Sequence, residues 1–146
     1  MRKEKANRIR VFVYGTLKEG HGNHDFYLAG NPAVEKLGRC YITGNYRMYS
    51  NGAFPMVTHG SRNEPAYIVG EVYEVDEGTL DSLDALEGHP DWYCREKVET
   101  PFKKAWVYMM PEDGRFPEQS RVVSGCFAMT QEEEEWINGS EIQTAV

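Results

Sequence analysis

The stretch YIVGEVYEVDEGTLDSLDALEG, residues 67–88, changes its pattern part-way along, and that change decides what kind of fold the chain builds. Tyr67 to Val75 is rich in Val, Ile and Tyr, the residue types that suit a half-buried strand. From Asp76 the spacing becomes helical. Asp76 is placed to cap a helix whose body, GTLDSLDALEG, runs to Gly88, and Pro90 enforces the stop. Leu80, Leu83 and Leu86 define the buried side of that helix. Glu87, seven residues after Leu80 and four after Leu83, projects within the same stripe. Asp81 and Asp84 point toward the flank or solvent.

A carboxylate aimed at a core is costly unless it is paired or used. Partial burial raises its pKa toward the range in which it both accepts and returns a proton. Periodicity alone leaves two readings of Glu87 open: a last-turn acid that snorkels out or pairs with Arg95 or Lys97, or an acid/base held in a pocket. The residues that follow, EGHPDWYCR (87–95), place Gly, Pro and two aromatics directly after the acid, enough for a shaped pocket wall.

Outward from this unit, short β-rich segments dominate. Ile9–Leu17, Lys36–Tyr49, Trp92–Thr100, Lys103–Met110 and Val122–Phe127 read as strands, with Gly38 and Gly44 as bulge or bend positions. NGAFP, SRNEP, TPFKK and PEDGRFPEQS are the turn signals between them. A second helix starts at Thr130, where Glu133 completes a capping box. Its EEEE run, 132–135, reads as a solvated helix start favoured by the helix dipole. Many short strands and few helices predict an α+β fold: a small mixed β-barrel, closed or partly closed, with flanking helices.

The chain of 146 residues is the size of one domain, read as 1–146 with residues 1–8 a flexible N-terminal tail. Sixteen basic and twenty-three acidic residues give a net charge of −7, which argues against a nucleic-acid partner and against docking on an anionic membrane. The polar N-terminus MRKEKANRIR has no apolar run behind it, so a cytoplasmic protein without a secretory signal is expected. Cys40, Cys94 and Cys126 are scattered and odd in number, the pattern of reduced, partly buried thiols. His21 and His24 have HxxH spacing but no third ligand nearby, so loop hydrogen bonding is the expectation and no metal site is assigned. Tyr108 reads equally as cavity lining or core.

The other informative stretch is VFVYGTLKEGHGNH, 11–24, a strand running into a glycine-rich turn. Such a turn binds an anion through successive backbone amides, but the GxxxxGK[ST] of a phosphate loop is missing. Gly20 and Gly22 read as loop flexibility outside the site. Together with VGEVYEVDEGTLDSLDALEGHPDWYCREKV (69–98) and AWVYMM (105–110), this stretch resembles the γ-glutamyl cyclotransferase-like family, nearest its γ-glutamylamine cyclotransferase (AIG2-like) branch. The resemblance thins from Asp113 onward.

The resemblance implies a small β-barrel with flanking helices and a cavity between the YGTL loop and the Glu-bearing helix end. It also implies conversion of a γ-glutamyl amine, such as γ-glutamyl-ε-lysine, into 5-oxoproline and the free amine. The alternatives are the same chemistry on another γ-glutamyl leaving group, as in a biosynthetic deprotection, and a non-catalytic barrel that binds a small molecule. Carried over by position, Glu87 is the general acid/base, Tyr14, Gly15, Thr16 and Leu17 hold the glutamyl moiety, and Tyr93 lines the pocket. No cofactor is required, because the nucleophile belongs to the substrate. The expected partner is a small γ-glutamyl molecule, bound by a monomer or weak dimer.

Overall fold

The computed structural model describes residues 8–60, 65–110 and 116–140. In chain order the elements are β1 (Ile9–Val13), α1 (Gly22–Tyr27), β2 (Glu35–Gly44), β3 (Tyr46–Ser50) and β4 (Pro55–His59). They continue with β5 (Ala66–Val75), α2 (Glu77–Glu87), β6 (Cys94–Val98), β7 (Ala105–Met109), a 3₁₀ turn (Glu118–Ser120) and α3 (Gln131–Asn138). No helix among the described residues is long and apolar enough to cross a membrane.

Five strands form one sheet in the order β2-β5-β1-β7-β6, and β3 and β4 form a separate ribbon. At the centre of the five, β1 runs antiparallel to β5 and parallel to β7. Alternate residues of β1 therefore serve two cores. Val11 and Val13 pack with Tyr73, Leu80, Leu83 and Tyr93, whereas Phe12 and Tyr14 pack with Met48, Val57, Val72 and Val107. Burying side chains of this size contributes about 1.5–3 kcal/mol each.

The α+β class holds, but the barrel does not close: β2 and β6 stand at opposite edges of the sheet. The β3–β4 ribbon instead joins the sheet through single bonds, such as Met110 N–H to the Val57 carbonyl at 2.8 Å. Several strand expectations differ from the structure, beginning with Ile9–Leu17, which ends as a strand at Val13 and continues as a turn. Lys36–Tyr49 is two strands, broken after Gly44. NGAFP leads straight into β4, a strand that its five residues with a leading proline do not announce. Val122–Phe127 is a chain of turns, not a strand. At its centre Gly125 has φ 70° and lies so close to β5 that a Cβ would run into the Tyr67 carbonyl oxygen.

Other expectations meet the structure directly. Gly38 does mark a bulge, where the β2–β5 register shifts. Asp76 caps α2 by accepting from the Thr79 amide at 2.9 Å, and Gly88 ends it in the left-handed region at φ 69°. The capping box at Thr130 and Glu133 is complete. Gly22, read as loop, is the first residue of α1. Residues 1–7 of the expected tail lie outside the described residues, but Arg8 is tied down, donating to the Ala33 carbonyl and pairing with Glu74. The turns over 61–64 and 111–115 also lie outside them.

Candidate active site

Sequence spacing places Glu87 on the last turn of α2, and the fold turns that end toward the strand–turn junction after β1. Glu87 lines a cavity of about 340 Å³ together with Tyr14, Gly15, Thr16, Leu17 and Tyr93. Its carboxyl is half-buried, and burial pushes its pKa up to about 7, with no cation among the described residues offsetting the shift. The pairing of Glu87 with Arg95 does not form. Arg95 instead makes a two-pronged pair with Asp84, at 2.9 and 3.1 Å. Asp84, expected to face the flank or solvent, also accepts from the Tyr108 hydroxyl at 2.7 Å. Burial works to raise its pKa, and the bonds from Arg95 and Tyr108 outweigh that and hold it below the usual carboxylate range.

The turn after β1 is organised by its carbonyls. Gly15 O accepts from the Lys18 amide at 2.9 Å and Thr16 O from the His24 amide at 3.1 Å. Leu17 O meets His24 Nδ1 at 3.1 Å. All three carbonyls are thus engaged by the chain itself. No described residue accepts from the Gly15, Thr16 or Leu17 amides, and all three residues line the cavity. Successive free amides of this kind make a nest for an anion. The Thr16 hydroxyl accepts from Asn23 Nδ2 at 2.7 Å, so α1 adds a second polar wall. His24, at HxxH spacing from His21, is spent on bracing the turn.

Two of the residues around the cavity use their hydroxyl protons on its walls. Tyr14 donates to the Tyr108 carbonyl at 2.6 Å, and Tyr93 donates to the Pro55 carbonyl at 2.7 Å. Burial is the main cause that raises the pKa of both phenols; at Tyr14 the neighbouring Tyr93 and then the Glu87 charge add to it, and at Tyr93 the Glu87 charge does, which keeps both protonated. Gly15 also has a packing role. A Cβ there would meet the Pro55 ring at 2.8 Å, so its missing side chain is what lets β4 close against the turn. Phe54, Ala53 and Trp92 complete the mouth, Trp92 being 59% exposed. Among the described residues no group of three His, Cys, Asp or Glu side chains is placed to hold a metal ion.

A carboxyl poised near neutrality and three amides with no acceptor among the described residues line one open-mouthed cavity, a layout that suits acid–base work on a molecule that carries its own anion. Residues 11–139 match the family model described as gamma-glutamyl cyclotransferase, AIG2-like. The chain belongs to that family. The AIG2-like match extends past Asp113, through α3, further than the motifs quoted from the sequence. A relative from Methanocaldococcus jannaschii, named "Putative gamma-glutamylcyclotransferase MJ1514", is 43% identical over 107 residues, covering 70% of this chain and 84% of that one. Among solved structures, the uncharacterized protein PH0828 from Pyrococcus horikoshii superposes with a TM-score of 0.66 at 30% identity, covering 88% and 97% of the two chains. An AIG2-like protein from Mus musculus shares the fold at a TM-score of 0.64 and 24% identity, over 83% and 88%.

Several lining residues escaped the sequence reading. Asn23 sits in a six-residue helix that has no apolar period to reveal it. Phe54 and Pro55 lie in what reads as a turn. Trp92 was signalled, as one of the two aromatics after the acid, and Tyr108, read equally as cavity lining or core, lines the cavity.

Proposed function

We propose that this protein is a γ-glutamylamine cyclotransferase, with γ-glutamyl-ε-lysine as a representative substrate. The observation that carries this is the shared cavity: Glu87 and the Gly15–Leu17 amides line the same space. The glutamyl α-carboxylate sits on the free amides. Glu87 takes a proton from the α-ammonium, whose pKa is about 8, a fair match for a carboxyl near neutrality. The freed amine attacks the γ-carbonyl and the lactam C–N bond forms. The bond to the leaving nitrogen breaks as Glu87 returns the proton to it, and the second proton of the attacking nitrogen follows through the same carboxylate, so that the amine leaves as an ammonium. 5-Oxoproline and the free amine result. Folding the chain for attack is a positioning effect, in which a wall that fixes the substrate lowers the barrier by several kcal/mol. The apolar mouth at Phe54 and Trp92 suits the methylene stem of a lysyl leaving group.

The test is release of 5-oxoproline from a panel of γ-glutamyl amines, γ-glutamyl dipeptides and glutathione. Wild type is expected to act best on the amines, with kcat/KM rising through about pH 7 as Glu87 ionises. Glu87→Gln is expected to lose a factor of about 10²–10⁴. Release from no substrate sinks the activity, and release that survives Glu87→Gln unchanged sinks the mechanism.

A further inference from the structure

Lys18 follows the amide nest directly and is wholly buried. Its ammonium donates to Glu133 Oε2 at 2.8 Å and to the Phe127 carbonyl at 2.7 Å, and lies 3.7 Å from Cys126 Sγ. Every one of these partners comes from the C-terminal segment. Glu133 is 4% exposed, which overturns the solvated reading of the EEEE run at that one position; Glu132, Glu134 and Glu135 are exposed as expected. The Glu133 carboxylate does two jobs. Oε1 accepts from the Thr130 amide at 2.9 Å and closes the capping box of α3, while Oε2 holds Lys18. A second buried carboxylate, Glu71 on β5, accepts from the Glu19 amide at 2.9 Å and from the Tyr73 hydroxyl at 2.8 Å. The residues just after the nest are therefore gripped by two acids from distant parts of the chain.

A buried ion pair is a poor way to add stability, because desolvation cancels much of the attraction and an apolar pair of the same size serves as well. What it supplies is a defined geometry. We propose that Lys18 and Glu133 are positioning residues of the site: the pair fixes the Gly15–Leu17 turn with its three free amides facing the cavity, and so makes α3 part of the anion-binding apparatus. The inference rests on the turn being the glutamyl clamp described above, but not on the lactam chemistry.

The test uses ¹⁵N-labelled full-length protein titrated with 5-oxo-L-proline as a carboxylate probe, following the Gly15, Thr16 and Leu17 amide signals. Wild type is expected to show saturating shifts at these amides. In Lys18→Met/Glu133→Gln the glutamine keeps the capping box and the methionine keeps the volume, so the spectrum is expected to stay folded while affinity falls about tenfold or more. With γ-glutamyl-ε-lysine, KM is expected to rise by a similar factor while kcat changes less than about threefold, a split that general loss of structure does not produce. A folded double variant that binds the probe as wild type does overturns the proposal. So does a wild type whose three amides fail to shift. Binding at those amides without turnover sinks the lactam chemistry and leaves the positioning role standing. Should the double variant unfold in buffer alone, the same comparison is made with both proteins in a stabilising osmolyte, which favours the folded state.

Discussion

Glu87 is asked to be a poor folding residue so that it can be a good proton carrier. Burial lifts its pKa from an ordinary 4.5 to about 7. Between those two values the folded protein holds a proton that the unfolded chain has released. The stability linked to that proton is full below pH 4.5 and is lost as the pH rises through about 7. Glu87→Gln keeps the shape and discards the charge. It is expected to be more stable than wild type at pH 8, by on the order of 1–3 kcal/mol, and indistinguishable from it at pH 4. Urea unfolding at the two pH values checks this, and a variant less stable at pH 8 would show that the carboxylate is held in a favourable pair. Glu87 was legible because its stripe is local: the leucines that define it lie on the same helix. Asp84 was not, because Arg95 and Tyr108 reach it from β6 and β7, and no periodicity on α2 encodes their arrival. Glu133 was legible as the capping-box residue, but its burial and its ion pair were hidden. As partners for a distant charge the four consecutive glutamates look alike along the chain, and the buried Lys18, far away in sequence, decides which of them is buried.

At the scale of elements, the candidate site is a meeting of three chain turns, and the tightest contact is between Gly15 and the start of β4. The Pro55 ring fills the place of the missing Cβ at 2.8 Å, and the Pro55 carbonyl holds the Tyr93 hydroxyl. Gly15→Ala is therefore expected to push β4 outward, lowering stability by about 1–3 kcal/mol and weakening binding of 5-oxoproline. Pro55→Ala added to it is expected to restore part of both losses, since the clash is with the ring. Thermal melts and probe titration of the single and double variants check this. Additive losses would place the fault in the backbone of the turn instead. The elements that escaped the sequence share a physical reason. α1 is six residues long and opens on glycine, and β4 is five residues long and opens on proline. Their structure is imposed by contacts with β1, α2 and β3, not by their own propensity.

At the scale of the whole molecule, the open sheet makes the C-terminal segment matter. β2 and β6 are not joined to each other, so no closed ring of strands locks the turn after β1 in place. Lys18 and Glu133 tie that turn to α3 across the structure instead. Burial works to raise the pKa of Glu133, but the hydrogen bond from Lys18 and the Thr130 amide outweigh it, and the net shift is below the ordinary 4.5. For a carboxyl lowered in this way, the linked stability is present above pH 4.5 and is lost as the pH falls through the lower folded value. Protonation at that one carboxyl loosens two things at once, the start of α3 and the grip on Lys18. Glu133→Gln is thus expected to be less stable than wild type at pH 7, by about 3 kcal/mol, the scale for stripping one partner from a buried pair. The gap is expected to narrow as the pH drops below 4.5, because wild type then loses the same charge. Melting temperatures of both proteins from pH 3 to pH 7 read this directly. A gap that stays constant across the range would mean that Glu133 acts through its shape in the capping box, and that its charge contributes nothing to holding the two ends of the chain together.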